Sequence, residues 1–248
     1  LGDGAFETIR VQAGRPRRWA RHRARLAGAL ELMEIAAPDW PALEEGLIAL
    51  AERAGLDAAM ARVTISRGPY GRGFEAPSGR KGAALATLGP VDPAPEPVAL
   101  VVIDAPRREP TSLASRFKPI GYGDALHARR LARAAGADMA VMLSSQGKLA
   151  SADCANLFWV SGERIFTPSL ESGALAGVTR AALIEAARAE AMTIEEGLWA
   201  ASVLDECEAA FITNARFGIH PVRAVEGRAL AADHPVITRL ARLEAQAD

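Results

Sequence analysis

The chain opens with alternating apolar and polar positions and then changes to the spacing of amphipathic helices. Residues 5–12 (AFETIRVQ) alternate as in a half-buried strand, and AGRP (13–16) supplies turn residues. The pattern then predicts a helix, a second helix and a β-branched strand at 22–35, 41–55 and 61–68. Pro41 and Gly55 stand where a helix start and a helix end prefer them. This part of the chain therefore predicts a small domain of mixed strands and helices.

Four prolines in nine residues, GPVDPAPEP at 89–97, follow a short predicted strand around 83–88. Proline at this density is stiff and extended, and it is excluded from the middle of a sheet. The stretch is the best domain boundary in the chain. We therefore expect a small N-terminal domain over 1–88, a linker over 89–97 and a large domain over 98–248.

The large domain predicts hairpins and helices rather than a regular alternation of parallel strands with helices. It begins with a continuous apolar run, 98–105, of the kind that forms a buried strand. Asp124 and Gly136 mark the expected start and end of an amphipathic helix. Tight turns join the next strands, and further elements are predicted at 177–192 (helix), 211–215 and 219–225 (strands) and from Pro235 onward (helix). The whole pattern indicates an α+β fold of two domains.

Composition and charge exclude several partners. Half of the residues are hydrophobic and the net charge is −1, which gives no electrostatic reason to expect nucleic acid or an anionic membrane surface. The basic run 15–25 could be a nucleic-acid patch, but a solvated helix face explains it equally well. No apolar run approaches the ~20 residues of a membrane span. Cys154 and Cys207 are too few for a disulfide framework or a CxxC metal site, so we expect no metal and a reducing, cytoplasmic location.

Three short stretches carry residues that could perform chemistry. Lys118 lies on an apolar segment, where partial desolvation favours a nucleophilic amine, although most lysines are surface groups. Thr179 follows Gly177 and Val178 at a helix start, which makes an anion site or a plain N-cap. Thr213 begins a similar polar cluster at a strand end. The loop GPYGRG (68–73) lacks the GK[ST] ending of a phosphate loop and is better explained as an inter-strand turn.

The stretch KLASADCANLFWV (148–160) combines two patterns. Its second half is bulky and apolar, as in a strand, whereas residues 150–155 are small and follow neither a helical nor a strand period. Such a run allows the backbone to approach a ligand closely. The chain also begins at Leu1, inside what looks like a motif, so we expect some N-terminal sequence to be absent.

Taken in order, several motifs resemble the class IV, or fold type IV, pyridoxal-phosphate enzymes. These motifs are GDGAFETIRV (2–11), HRARL (22–26), RVTISRG (62–68), Lys118 with Tyr122, AGAD (135–138), CANLFWV (154–160), TPSLESGALAGVTR (167–180) and FITNARFGIHPV (211–222). The family includes branched-chain and D-amino-acid aminotransferases and aminodeoxychorismate lyase, and the resemblance is closest to the lyase. It implies a two-domain α+β fold with a mixed sheet or pseudo-barrel in the large domain.

The resemblance implies a bound pyridoxal 5′-phosphate and a role for each matching residue. Lys118 corresponds to the Schiff-base lysine, which also moves protons between the substrate carbon and the cofactor. Arg25 corresponds to the arginine that binds the cofactor phosphate. Val178 and Thr179 correspond to phosphate ligands at the helix N-terminus. Tyr122 corresponds to a tyrosine that contacts the ring oxygen in some members.

Other matches imply the substrate pocket and the assembly. Thr213, Asn214 and Ala215 fall at the strand end that contributes to the phosphate and substrate-carboxylate contacts. Phe6 and Arg62 match the small-domain wall of the substrate pocket. The family implies a small-molecule amino substrate and a homodimer with the active site near the subunit interface.

One position departs from the family pattern. The family places a glutamate five residues before the asparagine of the motif S/A-N-[IL]-F, where its carboxylate protonates the pyridine nitrogen. Counting back from Asn156 gives Ser151. A hydroxyl can only form a hydrogen bond, so the ring should be a weaker electron sink. Asp153 is an alternative partner for the ring nitrogen, although on a strand it lies ~6–7 Å further along.

The weaker sink favours an elimination over a full transamination, which needs a longer-lived carbanion. The main expectation is 4-amino-4-deoxychorismate lyase, which expels pyruvate and leaves 4-aminobenzoate, a folate precursor. The alternatives are an aminotransferase acting on branched-chain, D- or other amino acids, and a degenerate cofactor-binding homologue with little turnover.

Overall fold

A computed structural model describes residues 2–69, 82–93 and 96–247. The chain forms two compact units: unit 1 comprises Leu1–Pro93 and Phe117–Gly121, and unit 2 comprises Ala94–Arg116 and Tyr122–Asp248. The sequence-based division kept the short segment around Lys118 in the large domain, whereas this segment clusters with unit 1. Most of the GPYGRG loop lies outside the described residues.

Unit 1 is an antiparallel four-stranded sheet with two helices. Its strands are β1 (Gly4–Gln12), β2 (Arg15–Pro16), β3 (Ala58–Ser66) and β4 (Ala83–Pro90), and its helices are α1 (Trp19–Leu32) and α2 (Trp40–Ala54). The strand order is β2-β1-β3-β4. One face of the sheet and the two helices share a hydrophobic core that includes Ile9, Leu26, Leu47 and Val63.

The helix and strand ends of unit 1 follow from local chemistry. Asp39 caps α2, because its Oδ1 accepts a hydrogen bond from Ala42 N at 3.1 Å, and Gly55 ends the helix with a φ of 63°. Pro90 was expected in a linker outside any strand. In the structure it is the last residue of β4, paired with Ala59, which an edge strand permits.

Unit 2 is built on a mixed nine-stranded sheet in the order β10-β9-β8-β11-β12-β5-β6-β7, with β13 paired to β12. Its strands are β5 (Val98–Arg108), β6 (Met139–Ser144), β7 (Leu149–Ala152), β8 (Asn156–Ser161), β9 (Arg164–Pro168), β10 (Ile194–Gly197), β11 (Ala209–Asn214), β12 (Gly218–Val225) and β13 (Arg228–Ala229). Its helices are α3 (Leu113–Arg116), α4 (Gly123–Ala134), α5 (Val178–Ala189), α6 (Val203–Glu206) and α7 (Pro235–Gln246), with a 3-10 turn at Leu170–Ser172.

The two faces of β8 and β11 belong to different hydrophobic clusters, because successive side chains of a strand point to opposite faces. Leu157 and Trp159 pack in the larger cluster of the unit. Phe158 and Phe211 stack with ring centroids 4.8 Å apart and pack with side chains of α5 and α7. Helix α5 therefore covers the face of β8 that carries residues 156, 158 and 160.

Two predicted helix caps differ in the structure. Helix α4 has Tyr122 as its N-cap residue, and Asp124 lies in the first turn instead. Helix α5 has Gly177 as its N-cap residue, so Thr179 belongs to the first turn. Both helices keep the expected location and type. Among the described residues, no helix combines the length and the hydropathy that a membrane crossing requires.

Candidate active site

Lys118 is held against the first strand of unit 1 by backbone hydrogen bonds. Phe6 N donates to Lys118 O at 2.9 Å, and Ile120 N donates to Gly4 O at 2.9 Å. Gly4 is required there, because a Cβ atom would lie 2.4 Å from Ile65 O and 2.6 Å from the Ile120 side chain. The segment Phe117–Gly121 is thus an extra strand-like piece along β1, and this pairing fixes the backbone of the lysine.

Phe6 links Lys118 to Arg62 within unit 1. The Lys118 Nζ atom lies 4.6 Å from the centroid of the Phe6 ring, and the Arg62 Cζ atom lies 3.9 Å from the same centroid. A cation above an aromatic face is attracted by the ring quadrupole. The structure therefore brings together three residues that the sequence analysis assigned to catalysis and to the substrate pocket.

A buried charged cluster lies beside this group on β1. Glu7 points into the core with 1% of its surface exposed. Its Oε1 accepts from Arg25 Nε at 2.7 Å, and its Oε2 accepts from Arg25 Nη2 at 2.7 Å. His22 Nδ1 lies 2.7 Å from the same Oε2. An ionised carboxylate has no proton to donate, so the Nδ1 atom carries the hydrogen.

The cluster keeps Glu7 ionised. Burial by itself raises the pKa of Glu7, but the opposing charge of Arg25 and the hydrogen bonds from His22 and Arg25 outweigh it. The pKa falls from its ordinary 4.5 to about 2. Arg25 therefore forms a bidentate ion pair with the Glu7 carboxylate, and this pair fixes the orientation of its guanidinium group within unit 1.

The first turn of α5 lies in unit 2 and carries backbone N–H groups without partners in the helix. Val178 and Thr179 are buried, with 7% and 3% of their surfaces exposed. Gly177, the N-cap residue, has no side chain that could accept hydrogen bonds from these groups. The first N–H groups of any helix lack partners within the helix and carry partial positive charge. This turn can therefore receive an anion.

Thr213 is the last residue but one of β11 and lies on the face of the sheet that α5 covers. It pairs with Asn156 across the antiparallel ladder between β11 and β8. Only 1% of Thr213 is exposed, and its hydroxyl Oγ1 is buried without a hydrogen-bond partner in the part of the chain that the structure describes. A buried hydroxyl of this kind costs stability unless a ligand or a water molecule satisfies it.

Asn214 and Ala215 follow at the end of the same strand. The Asn214 Oδ1 atom accepts from Arg216 N at 2.9 Å and from Phe217 N at 3.3 Å, so this side chain shapes the turn after β11. Its Nδ2 atom donates to Cys154 O at 3.3 Å. The Asn214 side chain thus links the turn to the small-residue stretch before β8.

Ser151 lies on β7, paired with Met142 of β6. It is 4% exposed, and its Oγ is a second buried hydroxyl of unit 2 that lacks a partner among the described residues. Asp153, two residues later, is bound elsewhere. Its carboxylate accepts from Arg129 Nε at 2.7 Å and from Arg129 Nη2 at 2.5 Å, and Oδ2 also accepts from Ala140 N at 3.0 Å. These three hydrogen bonds tie Asp153 to α4 and β6.

Two polar residues near these groups were not assigned a role from the sequence. Glu7 stands in phase with the core residues Ala5 and Ile9, so a charge at an inward position of β1 was the available signal. Asn156 occupies the first position of a strand whose same-face neighbours are Phe158 and Val160. A polar residue at such a position indicates a specific hydrogen bond.

The family of the chain follows from comparison with known proteins. The model of the family "Amino-transferase class IV" matches residues 4–225. The chain belongs to this family, and it is therefore a pyridoxal-phosphate-dependent enzyme with the fold of type IV aminotransferases. The expected family, fold class and cofactor are confirmed.

Individual relatives include both lyases and aminotransferases. An aminodeoxychorismate lyase from Vibrio harveyi is 27% identical over 252 aligned positions, which cover 98% of this chain and 90% of the relative. A structure from Legionella pneumophila, assigned as a 4-amino-4-deoxychorismate lyase, has a TM-score of 0.93 at 29% identity and covers 99% of this chain and 91% of its own. The structure of a branched-chain amino acid aminotransferase from Escherichia coli has a TM-score of 0.91 at 25% identity. The match covers 98% of this chain and 84% of the aminotransferase chain.

Proposed function

We propose that the protein is a 4-amino-4-deoxychorismate lyase, which eliminates pyruvate from its substrate and leaves 4-aminobenzoate. The similarity to lyases along almost the whole chain supports this activity. The observation that carries the proposal is the neutral hydroxyl of Ser151 at the position where the family pattern has a carboxylate. The one carboxylate of this stretch, Asp153, is held by Arg129 and by the backbone of β6.

Ser151 supports elimination through the charge on the cofactor ring. A hydroxyl cannot hold the pyridine nitrogen in its protonated form, as a carboxylate would, so the ring withdraws electrons less strongly. An elimination whose product is aromatic needs less withdrawal than a complete amino transfer. A weak electron sink is therefore tolerable for the lyase and costly for an aminotransferase.

The residues of unit 2 fit the cofactor phosphate. We assign the phosphate to the first-turn amides of Val178 and Thr179, to the Thr179 hydroxyl and to the unpartnered Thr213 hydroxyl. Arg25, whose guanidinium Glu7 orients within unit 1, is proposed as a phosphate ligand on the family resemblance alone.

The ring and the substrate involve a further set of side chains. We assign Ser151 to the ring nitrogen, Tyr122 to the ring oxygen and Asn214 to the turn beside the phosphate. Phe6, Arg62 and Ala215 are proposed as walls of the substrate pocket. Arg62 lies on the Phe6 ring and offers a cation for a substrate carboxylate.

Lys118 is the residue that we propose to move the proton. When bound, pyridoxal phosphate supplies the electron-withdrawing ring that stabilises a carbanion at the amino-bearing carbon of the substrate. Lys118 takes the proton from that carbon. The carbon–oxygen bond to the enolpyruvyl group then breaks, and the departing group receives the proton and leaves as pyruvate. The six-membered carbon ring of the substrate keeps the electron pair of the broken C–H bond and becomes aromatic, and the leaving oxygen takes the electron pair of the C–O bond, so the elimination needs no added oxidant.

The experiment is a paired product assay on the wild-type protein loaded with pyridoxal phosphate. With 4-amino-4-deoxychorismate as substrate, we expect pyruvate and 4-aminobenzoate to form in equal amounts. The Lys118→Ala variant should lose the covalent attachment of the cofactor, measured by mass spectrometry after borohydride reduction. Its turnover should fall at least ~10³-fold. Loaded enzyme that forms neither product from this substrate would contradict the proposal.

An aminotransferase is the second candidate, supported by the similarity to the Escherichia coli branched-chain enzyme. Transfer of the amino group from leucine, glutamate or D-alanine to a 2-keto acid, without formation of 4-aminobenzoate, would assign the protein to this activity. Cofactor binding without either reaction would indicate a degenerate homologue.

We also propose that the protein acts in folate biosynthesis in the cytoplasm, as a homodimer. The dimers that are usual in the family support the homodimer, and two cysteines that form no disulfide with each other suit a reducing compartment. Light scattering on the purified protein should give twice the chain mass of 26.1 kDa. A monomer at micromolar concentration would rule out the dimer.

A further inference from the structure

Asn156 lies where a strand, a loop and a helix start come together in unit 2. It begins β8, and alternation along the strand places it on the same face as Phe158 and Val160. These two residues pack with Leu183 and Ile184 of α5. The Asn156 side chain therefore points to the face that α5 covers, at the first position of β8.

The Asn156 amide holds the loop that precedes α5. Its Nδ2 atom donates to Leu175 O at 2.9 Å, and the residue is 6% exposed. Leu175 lies two residues before the N-cap Gly177. The bond is partly buried, so water competes with it less than at an open surface, and losing it would remove the Asn156 donor from the Leu175 carbonyl.

The Oδ1 atom of the Asn156 amide leaves no room for a side chain at Gly177. A Cβ atom on Gly177 would lie 2.0 Å from Asn156 Oδ1 and 3.1 Å from Asn156 Cγ. The next contact, Arg180 Cβ, is at 3.3 Å and requires only a small adjustment. The backbone of Gly177 has a φ of −67°, which any residue can adopt, so the requirement for glycine comes from Asn156 and not from the backbone conformation.

Thr213 gives independent reason to place a ligand at this helix start. It is the cross-strand partner of Asn156, so both side chains lie on the same face at neighbouring positions. The Thr213 hydroxyl is buried and has no partner within the described ranges. The amides of the first turn of α5 and this hydroxyl are donors, and an anion would satisfy both.

We propose that Asn156 is a positioning residue for the anion site. Its amide fixes the loop from Leu175 to Gly177, and this loop sets where the Val178 and Thr179 amides point. Donors that act on an anion must be held near hydrogen-bond distance, and a shift of ~1 Å is costly. This inference rests on the proposed phosphate contacts of α5 and Thr213.

A double-mutant cycle on the full chain tests the proposal. The variants are Gly177→Ala, Asn156→Ala and the two combined, and the measurement is the dissociation constant for pyridoxal phosphate and for pyridoxal, which lacks the phosphate. Gly177→Ala should weaken binding of pyridoxal phosphate at least ~10-fold through the clash, with a much smaller effect on pyridoxal. In the Asn156→Ala background the clash is gone, so Gly177→Ala should add less than ~3-fold.

Gly46→Ala is the matched control, because a Cβ atom at this glycine of α2 meets nothing within 4 Å. It should leave both dissociation constants unchanged. A merely structural role of Asn156 would weaken pyridoxal and pyridoxal phosphate equally, and that result would overturn the proposal. Equal effects of Gly177→Ala in the two backgrounds would also overturn it. Failure of the wild type to bind pyridoxal phosphate would instead reject the proposed function.

Discussion

One buried carboxylate of unit 1 and two buried hydroxyls of unit 2 differ in how the protein satisfies them. In unit 1, the Glu7 carboxylate has three short contacts, two with Arg25 and one with His22. In unit 2, the hydroxyls of Ser151 and Thr213 are buried and have no partner among the residues that the structure describes. We call these the charge cluster (Glu7, His22 and Arg25) and the hydroxyl pair (Ser151 and Thr213).

The Glu7 carboxylate is satisfied by the protein itself, whereas we propose that the hydroxyls of Ser151 and Thr213 are satisfied by the cofactor. An unpaired buried charge is far more costly than an unpaired hydroxyl, so the charge cluster must be complete before any ligand binds. An unsatisfied buried hydroxyl costs ~1–3 kcal/mol, which a stable protein can tolerate. A ligand that accepts hydrogen bonds from the hydroxyl pair recovers this cost as affinity.

The largest expected effect follows from breaking the charge cluster. Glu7→Gln removes the negative charge and leaves the partly buried Arg25 against a neutral amide, so the free energy of unfolding should fall by about 3 kcal/mol. Urea denaturation followed by tryptophan fluorescence measures this change. The control is Glu195→Gln, which breaks an ion pair between Glu195 and Arg164 that is open to solvent and should cost at most ~1 kcal/mol. Equal losses for the two variants would contradict the special role of the charge cluster.

Acid should weaken the same cluster. The pKa of Glu7 is about 2 in the folded protein against an ordinary 4.5, so the stabilisation is fully present above pH ~4.5 and is lost as the pH falls toward 2. The shift corresponds to ~3 kcal/mol at 1.36 kcal/mol for each pKa unit. Denaturation midpoints measured between pH 2 and pH 7 should show this decline in the wild type and a shallower one in Glu7→Gln. Parallel profiles for both proteins would show that Glu7 does not cause the loss of stability at low pH.

The hydroxyl pair should behave in the opposite way. Thr213→Val removes a hydroxyl that has no partner in the protein alone, so the stability without ligand should be unchanged or slightly higher. The dissociation constant for pyridoxal phosphate should rise ~10-fold, which corresponds to ~1.4 kcal/mol. Calorimetric titration and thermal unfolding measure the two quantities.

Thr167→Val is the matched control for this change. The Thr167 hydroxyl is buried and donates to Leu157 O at 2.8 Å, so it is already satisfied within the protein. Its removal should cost ~1 kcal/mol of stability and leave cofactor affinity unchanged. If Thr213→Val destabilised the protein as much as Thr167→Val without affecting affinity, the hydroxyl pair would be structural.

The smallest expected effect concerns the ratio of two reactions. Ser151→Glu places a carboxylate where we assign the ring nitrogen, which should strengthen the electron sink and raise amino transfer relative to elimination by a few-fold. Ser151→Gln introduces a side chain of nearly the same volume as glutamate but without its charge, and it should leave the ratio unchanged. The readout is keto-acid-dependent amino transfer beside pyruvate formation on the same preparation. An unchanged ratio in Ser151→Glu would remove the electronic argument for the lyase.

Local patterns were sufficient for most of the secondary structure. The alternation of residues 5–12 predicted β1, and Pro41 with Gly55 predicted both ends of α2. These features depend on neighbours in sequence, which propensity and capping rules describe. The eight motifs between residues 2 and 222, taken in order, were also sufficient for the family.

Contacts between distant residues were not predictable in the same way. Glu7 and Arg25 are 18 residues apart, and Arg129 and Asp153 are 24 apart, so no local rule pairs them. The sequence does not show that Asp153 is bound by Arg129 of α4 and Ala140 of β6, because both contacts depend on the tertiary structure. The same holds for Asn156 and Gly177, whose contact depends on how α5 starts above β8.

The short segment that carries Lys118 has a consequence for how the gene could be recombined. Phe117–Gly121 folds along β1, although the residues on either side of it belong to unit 2. A chimera joined at Pro93 would therefore combine β1 from one parent with the lysine segment of the other. Parents that differ at position 4 or 120 would not fit, because a side chain at position 4 would collide with the Ile120 side chain. Productive exchange between relatives should require that β1 and residues 117–121 be inherited together.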